Sequence, residues 1–476
     1  MAKKKNGIKV SFVGANSEEV TGSCTHIKSN DLEILLECGL YQSCTTPLND
    51  YKINSHKLGF KPKNIDYIFA MHNHIDHIGK IPMLYKNGCK AKIIAPKGSY
   101  VIAQELLSDC AHINQRDAEY ISKKTGKAVP PLFSIDDVFT CMEHWCEYEI
   151  KEKITLDEDV EFNFLPSGHI LNSTQLELWI RNGSSVKKIG YTSDLGNTKF
   201  KKYYTNEFEP IKNCNLLIGE STYSRGDREV SLKDRDKDLE KLESIIKEVC
   251  INKKGKVLIP VFANDRCQNM ISYIYDIFSQ DEDFDIPIVV DSPMATKITF
   301  LYERLLFDKE QNKKYRDILN WKNLSFAKEY KDSKNLMASG KPMVILSCGG
   351  MLTNGRAVTW CKELLGKQKN HIVFCGYSPE NSLGGKIKKG KQKYITVDGA
   401  SISNKCGVTD LRSFTSHMQY SDMIKYYSDV NCEKVALVHG NFDDKCEFAK
   451  EIQKEISRKN KTHKVICVNK STEITL

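Results

Sequence analysis

Six consecutive residues, His72-Asn-His74-Ile-Asp76-His77, bring three imidazoles and a carboxylate into one short run. The run follows directly on an apolar segment, Tyr67–Met71, that reads as a buried strand. Residues two apart at the end of a strand point the same way. His72 and His74 can therefore grip one cation, while Asp76 and His77, in the turn beyond, reach a second. In a chain of 476 residues with only 12 histidines, this spacing points to a metal site rather than to chance. Two imidazoles do not complete a coordination sphere, so further ligands are required at other strand ends. His169, in Pro166-Ser-Gly-His169, follows the apolar stretch Glu161–Leu165, and Asp194, in Gly190-Tyr-Thr-Ser-Asp194, follows Lys188–Thr192. A carboxylate carries two oxygens and can bridge two cations, and Asp194 is the natural candidate for that place.

The elements that must hold these residues are legible as strands at Ile8–Gly14, Leu32–Leu36, Tyr67–Met71, Lys92–Ala95, Glu161–Leu165 and Lys188–Thr192, each closed by a short polar turn. Polar residues at the ends of a rigid sheet are well placed for chemistry. From about Thr222 the rhythm lengthens. A lysine-rich helix is expected over Ser231–Lys253, a strand at Val257–Phe262, a helix from about Arg266, a strand at Ile286–Val290, helix and loop over Ala295–Ala338, and a strand at Met343–Ser347. Parallel βαβ units fit that stretch. A strand at Val435–Val438 and a helix at Asp444–Ser457 close the chain.

Length and composition agree with a folded protein of more than one core: 40% of residues are hydrophobic and 28% charged. No signal-peptide core follows the basic start, and no apolar run reaches the ~20 residues of a membrane helix, so a cytoplasmic location is expected. The 17 cysteines are odd in number and lack a pairing rhythm, which predicts free thiols in a reducing compartment. Cys141, His144 and Cys146 lie close together, but no second cluster completes a zinc site, and they read as structural; His112 is unassigned. A formal charge of +9 is compatible with a polyanionic substrate.

The pattern His-x-His-x-Asp-His with downstream His169 and Asp194 resembles the metallo-β-lactamase superfamily. The resemblance implies an α/β fold, the αββα sandwich, with a dinuclear site. Ile34-Leu-Leu-Glu37-Cys-Gly39 stands where the family usually has an Asp, and Glu37 is expected to support the ligands rather than to be one. Three further motifs narrow the resemblance to the β-CASP nucleases: Gly219-Glu220-Ser-Thr-Tyr223 for motif A, Ser413-Phe-Thr-Ser-His417 for motif B, and Leu437-Val-His439-Gly440 for motif C. Pro260-Val-Phe-Ala263 with Arg266, Asp291-Ser-Pro293 and Gly349–Arg356 support it. The nearest patterns are those of bacterial β-CASP ribonucleases and the endonuclease subunit of the pre-mRNA cleavage machinery. The domains implied are residues 1–222 as the first part of the metallo-β-lactamase domain, 223–393 as the inserted α/β β-CASP domain, and 394–476 as the returning part.

Carried over by position, the resemblance gives one zinc His72, His74 and His169, and the other Asp76, His77 and His439, with Asp194 bridging, hence two Zn²⁺ per chain. Catalytic duties fall to His417, Glu220 and Asp76, with Glu220 orienting His417 at the leaving oxygen. The implied activity is zinc-dependent hydrolysis of RNA phosphodiester bonds, endonucleolytic in the first reading, at a site between the two domains. The alternatives are a 5′-exoribonuclease, a DNA nuclease and a non-catalytic RNA-processing subunit. Single-stranded RNA is the expected substrate. No added RNA-binding domain is expected, so protein partners would guide target choice. Gly349–Gly355 reads equally as a phosphate cradle or a tight turn, and Arg266, Arg356 and Lys405 are candidate clamps on the RNA backbone.

Overall fold

The computed structural model describes residues 7–42, 46–200, 202–376, 378–380 and 382–476. The chain forms two units, one of Met1–Lys201, Thr205–Glu229 and Ser416–Leu476, the other of Lys202–Tyr204 and Val230–Thr415.

The first unit is built on two seven-stranded sheets. One runs, edge to edge, Glu473–Thr475, Lys9–Phe12, Thr25–Ser29, Leu32–Leu36, Tyr67–Phe69, Lys92–Pro96 and Trp145–Tyr148. The other runs Lys464–Cys467, Lys434–Val438, Leu216–Glu220, Ser185–Tyr191, Thr174–Asn182, Val160–Pro166 and Lys153–Thr155. Alternation of side chains along each strand explains the layers. Ile34 and Leu36 face inward and join Phe69, Phe162, Phe164, Leu216 and Ile218 in a core shared by both sheets. Leu35 between them faces out and packs with Ala103, Leu107 and Val138. On the far sheet Leu217 likewise turns outward to Tyr427, Phe448 and Ile452. Helices thus cover both outer faces, and the expected αββα sandwich is present. The strands at residues 32–36, 67–69 and 92–96 are parallel neighbours, and their C-terminal ends open on one edge.

Every strand foreseen from the sequence is found, shifted by a few residues at its ends. Less legible was the helix Tyr100–Thr125, whose 26 residues end at Gly126 with a left-handed φ of 66°.

The second unit holds a fully parallel six-stranded sheet in the order Leu324–Phe326, Ile288–Asp291, Met343–Cys348, Lys256–Val261, His371–Phe374, Gly407–Asp410. Both faces are covered, one by the cluster around Ile259, Ile274 and Phe278, the other by that around Leu258, Trp360 and Phe374, as buried parallel sheets require. Three details differ from the sequence reading. The strand Leu324–Phe326 lies within a stretch expected to be helix and loop. The lysine-rich helix is regular only over Leu232–Ile246 and continues to Asn252 as a wider π turn. The unit runs on past residue 393 because Gly407–Asp410 pairs with His371–Phe374.

The disulfide Cys446–Cys467 corrects the expectation that all thiols are free. It joins the helix Phe442–Arg458 to the strand Lys464–Cys467, elements that pack side by side and bring the two Cα atoms within 5.2 Å. Cys141 is buried, and His144 lies against the Tyr85 ring, as filler rather than ligands.

Arg356, a candidate RNA clamp, is bound instead to Asp291 at 2.5 Å; the same fully buried carboxylate accepts the Trp360 indole N–H at 2.6 Å and the Ser333 hydroxyl. Asp291→Ala should strip three donors of their acceptor and leave the guanidinium without its counter-charge, destabilising the protein by about 3 kcal/mol. Thermal or urea unfolding that shows no lowered midpoint would refute the structural role given to Asp291.

Candidate metal centre

The strand Tyr67–Phe69 delivers His72 into the open edge of the sandwich, and a one-turn helix, Ile75–Ile78, carries Asp76 and His77. That turn is clamped from two segments: after Leu36, Cys38 N–H donates to the His77 carbonyl at 2.9 Å, and just before Thr25, Ser23 N–H donates to the Asp76 carbonyl at 2.8 Å. The approach is so close that a Cβ on Gly39 would stand 1.6 Å from the Asp76 carbonyl oxygen, so only glycine fits there. Several side chains of the centre sit on backbone that L-residues rarely adopt: Glu37 at φ 62°, Ser193 at 48° and His439 at 56°. Such residues persist where surrounding contacts over-determine them, and they cluster at functional sites.

These loops bring the predicted ligands together in two sets. In the first, His74 Nδ1 is 3.2 Å from His72 Nε2 and 3.4 Å from His169 Nε2. Asp194 Oδ2 completes it at 3.6 Å from His72 Nε2 and 3.5 Å from His169 Nε2. In the second, His77 Nε2 lies 3.3 Å from Asp194 Oδ1 and 3.7 Å from Asp76 Oδ2, and His439 Nε2 lies 3.5 Å from Asp76 Oδ2. Ligand atoms about 2.0–2.1 Å from a tetrahedrally bound ion stand roughly 3.3–3.4 Å from one another. Both sets have that spacing, and Asp194 gives one oxygen to each. His77 Nε2, Asp194 Oδ1 and His439 Nε2 are buried without a hydrogen bond, which is costly unless another group takes their lone pairs. The residues fit a pair of cations.

The far side of each ring fixes which nitrogen is presented. Ser193 donates its hydroxyl to Glu37 Oε1 at 2.7 Å, so it can only accept from His72 Nδ1, 3.1 Å away. His72 Nε2 is then left with its lone pair toward the site. Glu37 Oε2 accepts from His77 Nδ1 at 2.5 Å and from the Tyr191 hydroxyl at 2.6 Å. Thr222 Oγ1 stands 3.0 Å from His439 Nδ1, and the Ser416 carbonyl 3.4 Å from His169 Nδ1. Glu37 therefore holds the candidate ligands His77 directly and His72 through Ser193, so that its side chain serves two imidazoles at once. Ser193, Tyr191 and Thr222 escaped the sequence reading; the only signal was their position beside or within the strands that carry the ligands.

Burial, with His77 close by, holds His72 well below the usual histidine range, and burial with His417 nearby does the same for His169. Neutral imidazoles are what a cation needs. Burial also pulls on His77 and His439, but Asp194 with Glu37 and Asp76 outweighs it at His77, and Asp194 with Asp76 at His439, raising both. Burial pushes Asp194 up, yet His77 and His439 hold it well below the carboxylate range. The carboxylates that raise His77 and His439 are an excess of negative charge that a cation would balance.

Glu220 and His417 lie beside the ligands. Glu220 Oε1 accepts from the Leu195 N–H at 2.6 Å and faces His417 Nδ1 at 3.4 Å, while Oε2 accepts from the Thr222 N–H at 3.1 Å. The His417 ring packs against His169 with centroids 4.5 Å apart, and its side chain keeps 22% exposure. All of these residues belong to the first unit. Arg266, Arg356 and Lys405 belong to the second.

Comparison with known proteins agrees with this reading. Residues 267–387 match the model of the Beta-Casp domain, and residues 401–465, which include His417 and His439, match the Zn-dependent metallo-hydrolase RNA specificity domain. The chain is 28% identical to the transcription termination factor FttA of Methanocaldococcus jannaschii over 469 residues, 94% of this chain and 69% of that one. It is 28% identical to Ribonuclease TTHA0252 of Thermus thermophilus over 433 residues, 89% and 91% of the two chains. Integrator complex subunit 11 of Danio rerio is 24% identical, with 94% of this chain and 72% of that one aligned. A crystal structure of a protein of unknown function from Enterococcus faecalis V583 superimposes with a TM-score of 0.55, covering 99% of this chain and all of that one at 12% identity, which speaks to fold alone.

Glu37→Ala should lower metal affinity about 10–100-fold, since His77, Tyr191 and Ser193 all lose their acceptor. Competition against a chromogenic chelator measures this, and an unchanged affinity would remove Glu37 from its supporting role.

Proposed function

We propose, for a chain that belongs to the β-CASP family of the metallo-β-lactamase superfamily and is a metal-dependent hydrolase, that its reaction is hydrolysis of RNA phosphodiester bonds with two zinc ions. The observation that carries the metal count is Asp194, whose oxygens each face a separate set of ligand atoms at 3.3–3.6 Å. His72, His74 and His169 would hold one ion and Asp76, His77 and His439 the other. When bound, the two ions supply acidification of water and neutralisation of the phosphate's charge.

The chain's own residues account for the rest. Glu37, through Ser193 and directly, keeps His72 and His77 in the tautomers that face the site. Glu220 is itself pinned by two backbone N–H groups and holds His417 by Nδ1, so that the other ring nitrogen would give a proton to the leaving oxygen. His417 is not within either ligand set, and its partial exposure leaves it open to a substrate. One relative is named a ribonuclease, and this supports RNA as the substrate here. A flexible single strand meets a centre recessed among loops more readily than a rigid duplex does. Endonucleolytic cleavage is the reading adopted. The 14 free cysteines among the described residues support a cytoplasmic location as part of this proposal.

Purified protein should contain two zinc ions per chain, and Asp194→Ala should lose most of both. Metal analysis showing a single ion under zinc-replete conditions contradicts the bridging role. His417→Ala should slow RNA cleavage about 10²–10⁴-fold with metal content intact; zinc lost together with activity would make His417 a ligand instead. Circular single-stranded RNA should be cut. Resistance of the circle beside rapid loss of a 5′-phosphorylated linear RNA would show exonuclease action, and cleavage of single-stranded DNA with RNA intact would end the RNA assignment.

A further inference from the structure

In the second unit, residues 386–393 read Lys-Ile-Lys-Lys-Gly-Lys-Gln-Lys and lead into a hairpin whose strands are Tyr394–Val397 and Ala400–Ser403. Not all of this charge is free. Lys388 pairs with Asp410 at 2.9 Å and Lys389 with Glu380 at 2.6 Å. Lys386, Lys391, Lys393 and Lys405 are exposed and form no ion pair among the described residues. The tract is fixed in place, because Asn404 donates its backbone N–H to the Lys393 carbonyl at 2.9 Å and its side-chain amide to the Gln392 carbonyl at 3.3 Å.

The hairpin alternates, with Ile395 and Val397 in the core and Tyr394 and Thr396 outside. Across the ladder Tyr394 faces Ser403 and Thr396 faces Ser401. The outer face thus offers one aromatic ring, 57% exposed, and three hydroxyls; Lys391 and Lys393 lead into its first strand, Lys405 follows its second, and Lys386 lies beside Tyr394. Beside it lies a recess of about 390 Å³ lined by Leu383, Lys386, Gln392, Tyr394, Ile395 and Thr396.

We infer that this face is a docking surface for single-stranded RNA, with the lysines and hydroxyls on phosphates and Tyr394 stacked on a base. The inference rests on the reading of RNA as substrate. Charge complementarity selects a polyanion, and the exposed ring and amide beside the lysines select one with planar bases. A lipid surface would call for apolar side chains beside the lysines, and a protein partner for a desolvated apolar anchor; the outer face of the hairpin supplies neither.

The test is fluorescence anisotropy of a labelled oligouridylate with the whole chain carrying His417→Ala, so that bound RNA is not consumed, compared with the same chain also carrying Lys386→Ala, Lys391→Ala, Lys393→Ala and Lys405→Ala. The Kd should rise at least about tenfold, and the slope of log affinity against log salt should fall in magnitude by roughly 0.7 for each lysine that had neutralised a phosphate. Tyr394→Ala should weaken binding about fivefold or more while Tyr394→Phe keeps it, since stacking needs the ring and not the hydroxyl. With His417 intact, the lysine variant should show a raised KM and an unchanged kcat. Equal affinity and equal salt slope in the lysine variant, with the parent still binding RNA, overturn this surface alone. Weakened retention on heparin with RNA affinity unchanged assigns the patch to another polyanion and overturns it too. A parent chain that neither binds nor cuts RNA brings down the substrate reading and this surface together.

Discussion

A carboxylate buried between two groups of imidazoles is the constraint on which the first unit depends. Asp194 is 3% exposed, and His72, His77, His169 and His439 are each 3% exposed or less. Charges taken out of water are tolerated only when paired and hydrogen-bonded. Each of these imidazoles therefore has a partner on its outer side as well as its neighbour in the centre. The demand passes outward: Asp194 requires the histidines, the histidines require Glu37, Ser193, Thr222 and the Ser416 carbonyl, and Glu37 requires Tyr191, whose hydroxyl is pushed well above its usual range by burial and by that carboxylate.

The sandwich meets this demand by placing the candidate ligands at strand ends. A strand interior fixes backbone direction through its ladder, while the residue just past its end is free to turn. Glu37, Ser193 and His439 use that freedom, each with positive φ immediately or shortly after a strand. The close contacts at Gly39, and at Gly196, where a Cβ would stand 2.0 Å from the Gly168 carbonyl carbon, lock the turns together. Precision in the centre is thus a property of loops pressed backbone to backbone over a rigid core.

The second unit handles its buried charge in a different way. Asp291 gathers Arg356, Trp360 and Ser333, and Lys202 is bound to Asp265 at 2.5 Å, with burial lowering the Lys202 ammonium to about 8. These are closed pairs with their hydrogen bonds met inside the unit. Lys386, Lys391 and Lys393 are the opposite case, exposed cations that form no ion pair among the described residues.

How much was legible follows from the range of each interaction. The alternation of apolar residues, a period of two, gave the strands, and histidines and carboxylates just past them gave the candidate ligands, because both signals are local in the chain. Glu37 could be placed as a support by its motif, but not its contacts, since Ser193 is 156 residues away and Tyr191 154. The same holds for Arg356, whose partner lies 65 residues before it, and for the Cys446–Cys467 bond, made by a helix and a strand that only the fold sets side by side. The end of the second unit was missed because a four-residue strand at Gly407–Asp410 is defined by its pairing and not by its own pattern. Residue types and spacing determined the kind of chemistry; tertiary contact decided which nitrogen faces the metal centre, which carboxylate oxygen serves which set, and which charges are taken up in structure, because those depend on side chains brought together from distant parts of the chain.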